Sequence, residues 1–373
     1  MRHQWLVSGL CTIFAVSGAA VVSVDAHADA TTPDDEVSCT SLEPAEIIDL
    51  PDGGKDYQFT IDGELTDVPV PPDGFRPEDA DAATLATYAF PPRPTNSEDL
   101  AEWTQDMLAY KETPTPKLCL EATASNDAFA DGDDVIDPAY PVTIAASTVT
   151  NRTSKNWAGW EARPASGNHY VAVSGEYDEI TTHADSCTDS QVGTWVGIGG
   201  ALSRSDGTFG LIQAGTAVGG GNGRYAWYEY LATGALNPPV QVGNLSLSAG
   251  DHLHISVFYS SADEKANFIF QNETDGMSQS IVKTVDKKYF QGSSAEFISE
   301  RPAGPAGYTP LLNFGTTTFT SSKVENNDGD WVHLGDTHEQ VRDRMVANGT
   351  TYAVPGDITG DTNGKFVNDW RNC

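Results

Sequence analysis

Thr208-Phe-Gly-Leu-Ile-Gln-Ala214, then Gly219-Gly-Gly-Asn-Gly223, then Tyr225-Ala-Trp-Tyr-Glu-Tyr230 follow one another along the chain and set its architecture. The outer two pieces read as half-buried strands, and the glycine cluster marks a tight connection. In the second strand the two-residue period of an extended chain puts Tyr225, Trp227 and Glu229 on one face. An aromatic floor beside a carboxylate suits a cleft. The same texture continues outward through His169-Tyr-Val-Ala-Val-Ser-Gly175, His252-Leu-His-Ile-Ser-Val-Phe258, Ala266-Asn-Phe-Ile-Phe270 and Gln279-Ser-Ile-Val-Lys-Thr-Val285. From Thr143 onward these runs alternate with Gly, Asn and Asp turns, which predicts an all-β, antiparallel sandwich. One short helix is expected inside it, because Thr337 and Gln340 have capping-box spacing and Gly349 can stop the run. Thr351 to Trp370 then supplies closing strands.

The preceding part of the 373-residue chain differs. Residues 29–150 are rich in Pro and Asp, with Val68-Pro-Val-Pro-Pro72 and Pro91-Pro-Arg-Pro94 as polyproline-like pieces. One helix is predicted there, capped by Asn96 or Ser97 and carrying Leu100, Trp103 and Met107 as a packing stripe. The chain holds 53 acidic and 21 basic residues; 27 and 5 of them fall in 29–150, and 25 and 15 in 151–373. Such an excess excludes nucleic acid as a partner and is compatible with work in acid, where about half or more of the carboxylates are neutral at pH 3 to 4. Residues 1–28 have the form of a secretory signal: Arg2 and His3, an apolar stretch from Leu6 to Val24, and Ala26-His-Ala28 as cleavage site. Export to the extracellular space is the expectation, with no membrane association after cleavage. The division is therefore a signal peptide at 1–28, an acidic propeptide or accessory region at 29–150, and a β-sandwich domain at 151–373.

Four cysteines outlast the signal, and the pairings Cys39–Cys119 and Cys187–Cys373 keep each bridge within one region. No cysteine and histidine cluster has zinc spacing. The serine-hydrolase elbow, the His-Glu-x-x-His pair, the phosphate-binding loop and the aspartic-protease Asp-Thr/Ser-Gly signature are all missing. His252 and His254 share a strand face and read as alternating polar residues rather than as a metal pair. Asp131–Asp134 and Asp357–Gly364 read as surface turns, lacking the full calcium-loop pattern. What remains for chemistry is a set of carboxylate, carboxamide and aromatic side chains on predicted strands: Trp195, Gln213, Trp227, Glu229 and Glu296.

Their order carries a family resemblance. Asn156-Trp-Ala-Gly159, Val171-Ala-Val-Ser-Gly-Glu176, Trp195-Val-Gly-Ile198, Gln213, Trp227-Tyr-Glu229, Ala295-Glu296 and Asn313-Phe-Gly315 occur in sequence, and with them residues 151–373 resemble the eqolisin, or glutamic peptidase, family. The resemblance implies a sandwich of two curved antiparallel sheets, lectin-like in design. It implies Glu296 and Gln213 as the catalytic pair, with Trp195, Trp227 and Glu229 lining or supporting the site. In the implied mechanism Glu296 activates water and the Gln213 amide stabilises the oxyanion, so no cofactor or metal is called for.

Two positions depart from the family pattern. Gly199 and Tyr225 stand where an Asp is usual, and Glu300 is the alternative glutamate should Glu296 not be the base. The expectation is a secreted, monomeric acid endopeptidase acting on proteins or peptides and made as a zymogen. Docking of the acidic N-terminal region would need specific pairs, with Arg204, Arg224 or Lys265 as candidates. The competing readings are a carbohydrate-binding lectin-like sandwich and a glycosidase using Glu229 and Glu296.

Overall fold

The structure is a computed structural model that describes residues 40–120, 135–136, 148–184, 187–200, 210–221, 223–232, 238–290, 292–304, 307–360 and 364–373. The N-terminal part contributes strands β1 (Glu46–Asp49), β2 (Lys55–Ile61) and β3 (Glu64–Val70), helices α1 (Ala82–Thr87) and α2 (Ser97–Ala109), and β4 (Lys117–Leu120). Then come β5 (Val135–Ile136), β6 (Thr148–Ser154), β7 (Trp157–Arg163), β8 (Tyr170–Asp178), β9 (Gln191–Gly199), β10 (Gly210–Gly219), β11 (Arg224–Ala232) and β12 (Val240–Gly243). The chain continues through β13 (His252–Ser260), β14 (Lys265–Asn272), β15 (Met277–Thr284), β16 (Ala295–Glu300), a small hairpin of β17 (Ala303–Gly304) and β18 (Gly307–Tyr308), and β19 (Thr316–Asn326). It ends with β20 (Trp331–His333), β21 (Glu339–Ala347), β22 (Thr350–Pro355) and β23 (Phe366–Trp370).

Pairing arranges these strands in two layers. One runs β1-β2-β3-β15-β14-β13-β8-β19, with β20 and β23 sharing the far side of β19. The other runs β5-β6-β21-β7-β16-β9-β10-β11-β12-β4. Strand β22 pairs with both β21 and β23 and joins the layers at one corner. All these ladders are antiparallel except β6 beside β21. Alternate residues on the facing sides, among them Trp160, Val196, Ile212, Tyr228, Ile255, Val257, Phe268, Phe297 and Phe319, close into one buried cluster. Apolar burial of this kind, about 25 cal/mol per Å², is what holds the layers together.

The N-terminal part is stitched to both layers. Strand β3 extends the first through Asp67 and Thr66 opposite Val282 and Lys283, and β4 extends the second opposite β12. Helix α2 begins as expected: the Asn96 side chain accepts from the Asp99 N–H at 2.9 Å. Its apolar side, Trp103 and Met107, joins Leu85, Tyr88 and Phe90 in a local cluster. Its acidic side turns to the first layer, where Glu102 meets Lys323 at 2.9 Å. Lys283–Glu64 at 2.9 Å and Lys265–Asp67 at 3.4 Å are further ion pairs between the two regions. Of the basic residues expected to hold this region, Lys265 does so, Arg224 pairs with Glu179 instead, and Arg204 lies outside the described residues.

The expected helix near the C-terminus is a β-hairpin. Gln340 does reach back to Thr337, donating to its carbonyl at 2.7 Å, but that bond follows the single 3-10 turn Leu334–Asp336. Strands β6 and β7 flank Glu339–Ala347 on its two edges, and this pairing overrides the local capping signal. Asn348 and Gly349, with φ of 52° and 79°, form the left-handed pair that a tight hairpin turn needs. Cys187 and Cys373 are disulfide-bonded, with Cα atoms 6.2 Å apart. Cys39 lies outside the described residues, as do the signal segment and Asp131–Asp134. No helix among the described residues is long and apolar enough to cross a membrane.

Candidate active site

Register decides which side chains meet. Glu296 of β16 lies opposite Gly197 of β9, Gly197 lies opposite Gln213 of β10, and Gln213 lies opposite Glu229 of β11. Residues directly opposite in antiparallel strands point to the same side, so Glu296, Gly197, Gln213 and Glu229 form one row across four strands. It lies on the face of the second layer turned away from the main core. The neighbouring row is Ile298, Trp195, Gly215 and Trp227. Trp157, Trp195, Leu211, Ala217, Tyr225, Trp227, Leu231 and Ile298 make the apolar surround of this face. The structure thus brings together all five candidate residues.

Gly197 matters because it has no side chain. A Cβ there would stand 3.0 Å from Leu211 Cδ1 and from Trp195 Cζ3, and 3.1 Å from Gln213 Cβ. With strands about 4.8 Å apart, Glu296 and Gln213 start from Cα atoms roughly 10 Å apart, facing each other across the bare glycine.

Glu296, Gln213 and Trp195 are 0% exposed, Glu229 2% and Trp227 7%. The Gln213 amide Nε2 donates to Glu229 Oε2 at 2.7 Å. A carboxylate only accepts, so Glu229 fixes which end of the amide carries the protons and leaves the second N–H free to act elsewhere. Both carboxylate oxygens of Glu296 are buried without a hydrogen-bond partner among the described residues. Burial pushes its carboxyl well above the ordinary range, against the opposing pull of the Ser294 hydroxyl and of Arg152 and Arg163. Glu300, four residues on and about 13 Å along the strand from the row, is differently placed. It accepts from Trp195 Nε1 at 2.7 Å and from Asn156 Nδ2 at 2.9 Å. Burial raises its carboxyl to about 8 despite those two bonds.

Beside Glu296 lies an ionic cluster that no sequence spacing announced. Glu161 of β7 is directly opposite Glu296 and is bonded by Arg152 and, at 3.3 Å, by Arg163. Arg152 also grips Asp343 of β21, its Nε to Oδ1 at 2.6 Å and Nη2 to Oδ2 at 2.9 Å. These residues converge from β6, β7 and β21, which only the folded topology makes neighbours. The two departures from the family pattern have local reasons. Gly199 sits at φ 88°, and a Cβ there would be 2.3 Å from the Gly210 carbonyl, so no Asp fits. Tyr225 accepts a hydrogen bond from Gln191 Nε2 at 3.0 Å.

The chain belongs to the Peptidase A4 family, whose sequence profile matches residues 155–364. Among solved structures it is similar to scytalido-glutamic peptidase crystallised with a transition state analog inhibitor: 20% identity, TM-score 0.47, covering 58% of this chain and 98% of that one. It is also similar to SCP-B, a member of the eqolisin family of peptidases, in complex with the tripeptide Ala-Ile-His, at 20% identity and TM-score 0.45 over the same shares of the two chains. No curated protein matches the chain by sequence.

Proposed function

We propose that this peptidase is a secreted acid endopeptidase in which Glu296 activates water and Gln213 stabilises the oxyanion, and that residues 29–150 are its propeptide. The observation that carries the reading is the row Glu296–Gly197–Gln213–Glu229, which aims a buried carboxyl and a carboxamide at one bare position. A scissile peptide group over Gly197 would have Glu296 on one side and Gln213 on the other. Ionised Glu296 takes a proton from water as its oxygen attacks the carbonyl carbon, then returns that proton to the leaving amine. The second N–H of Gln213 meets the developing oxyanion, a contribution of about 3 to 4 kcal/mol for such a donor, and the amide stays neutral at every working pH. Glu229 holds that amide in place. Burial favours the neutral carboxyl of Glu296 while the site stays closed, so the base becomes available in acid only once the site opens to water.

The precursor reading rests on the closed site and on the way the N-terminal region is held. Its carboxylates Glu64, Asp67 and Glu102 pair with Lys283, Lys265 and Lys323. Burial raises the Glu102 carboxyl, but the charge and hydrogen bond of Lys323 outweigh it and hold it below its ordinary value. Acid strong enough to protonate Glu102 breaks its pair with Lys323 and loosens the attachment. The glycosidase alternative fares worse: Glu229 and Glu296 are three strands, roughly 14 Å, apart, and Glu229 is engaged by Gln213.

The test is cleavage of a denatured protein between pH 2 and 6 with pepstatin present, using wild type and Gln213→Ala after incubation at pH 3 to 4. Expected are shortening of the chain at its N-terminal side, pepstatin-resistant cleavage, and a loss of about 10²–10³ in kcat for Gln213→Ala. A chain that keeps its full length indefinitely in acid sinks the precursor reading. Undiminished kcat in Gln213→Ala sinks the dyad.

A further inference from the structure

A second cluster lies on the other layer, where α2 crosses its outer face, and takes no part in the proposed reaction. His254 of β13 is 5% exposed. Its Nε2 bonds the Ser174 hydroxyl at 2.6 Å, and that hydroxyl also accepts from Ser256 at 3.0 Å. Its Nδ1 faces carboxylates: Asp106 Oδ2 of α2 at 3.3 Å and Glu273 Oε1 at 3.7 Å. Nδ1 lies outside hydrogen-bond geometry to either, although against the cost of burial both carboxylates, Asp106 foremost, favour a positive charge at this ring. Glu176 of β8 is directly opposite His254, and one ligand atom each from Asp106, Glu176 and His254 lie within 4.8 Å of one another. His252 Nε2 stands 3.5 Å from Glu176 on its other side. A cavity of about 40 Å³ opens on Asp106, Ser174 and His254.

We propose that His254, Asp106 and Glu176 form a binding site for a divalent cation of the zinc class, with Glu273 as an adjoining carboxylate. The distances argue for it. Ligands held 2.0 to 2.2 Å from a tetrahedral ion stand about 3.4 Å from one another. The 3.3 Å between His254 Nδ1 and Asp106 Oδ2 is close to that value and Glu176 completes the set within 4.8 Å, while Nδ1 misses hydrogen-bond geometry with Asp106. A nitrogen sharing an ion with carboxylates has them off its own axis in this way. Donor chemistry agrees, since an imidazole with two carboxylates is a zinc-type set, and the Ser174 bond to the far ring nitrogen supplies the outer support such ligands receive. Because Asp106 belongs to α2 and the other two to the sandwich, the ion would clasp the N-terminal region to the first layer. This inference is independent of the catalytic reading.

The experiment uses the full chain, stripped with a chelator and titrated with zinc chloride at neutral pH by calorimetry. One saturable equivalent is expected, with affinity falling at least about tenfold in both Asp106→Asn and Glu176→Gln. Glu176→Gln keeps the test decisive should Asp106→Asn loosen α2, because Glu176 sits on a strand of the sandwich. The absence of saturable zinc binding in wild type, or affinity that survives Glu176→Gln, overturns the site and leaves His254 an ion-paired histidine.

Discussion

The two faces of the layer formed by β7, β16, β9, β10 and β11 are equally buried and differ in what they bury. Along β16, Ala295, Phe297 and Ser299 point into the sandwich, whereas Glu296, Ile298 and Glu300 point away, and all six are buried. The inner face is apolar and carries the stability of the domain. The outer face holds Glu296, Gln213, Glu229, Glu161 and Glu300, whose removal from water opposes folding unless each finds a partner. Glu161, Glu229 and Glu300 have theirs, and Glu296 has none among the described residues. The difference teaches that this face gives up stability to keep carboxyls out of water, which is what the proposed chemistry would need.

The largest test of that contrast compares neighbours on β16. Phe297→Ala is expected to cost about 3 to 5 kcal/mol in denaturant unfolding, whereas Glu296→Gln at pH 7 costs nothing or stabilises, because it removes a carboxyl whose charge burial disfavours. Next comes pH. A folded carboxyl raised to about 8, as for Glu300, from an ordinary value of 4.5 gives stability fully present below about 4.5 and lost as pH rises through 8. That is up to roughly 5 kcal/mol, and Glu300→Gln should flatten this part of the thermal-stability profile. Gly197→Ala sharpens the comparison from the other side. Its Cβ intrudes on Trp195, Leu211 and Gln213, so kcat/KM is expected to fall about 10²-fold while the domain stays folded by circular dichroism. The smallest effect is for Glu229→Gln: without a carboxylate to orient the Gln213 amide, kcat drops about tenfold with KM unchanged in steady-state kinetics.

Much of this was legible in the sequence. The two-residue period of Tyr225 to Tyr230 placed Trp227 and Glu229 on one face, and the cap and stripe of α2 stand where Asn96, Trp103 and Met107 put them. The capping-box spacing of Thr337 and Gln340 with Gly349 as a stop predicts a helix, and a hairpin stands there instead because the flanking strands that stabilise β21 are remote in sequence. For the same reason the Arg152–Glu161–Asp343 cluster was invisible: its members come from three strands whose adjacency only topology creates. The glycine at 199 read as a lost carboxylate, while the positive φ and the near carbonyl of Gly210 make it a backbone requirement.

The most direct test of the central claim sets Glu296 against Glu300, two glutamates on the same face of the same strand. Initial rates of protein cleavage are measured across pH 2 to 8 for Glu296→Gln and Glu300→Gln, each processed identically to wild type. The row of Glu296, Gly197 and Gln213 predicts that Glu296→Gln loses all measurable cleavage while Glu300→Gln retains it. Activity that survives Glu296→Gln but vanishes in Glu300→Gln would contradict the account.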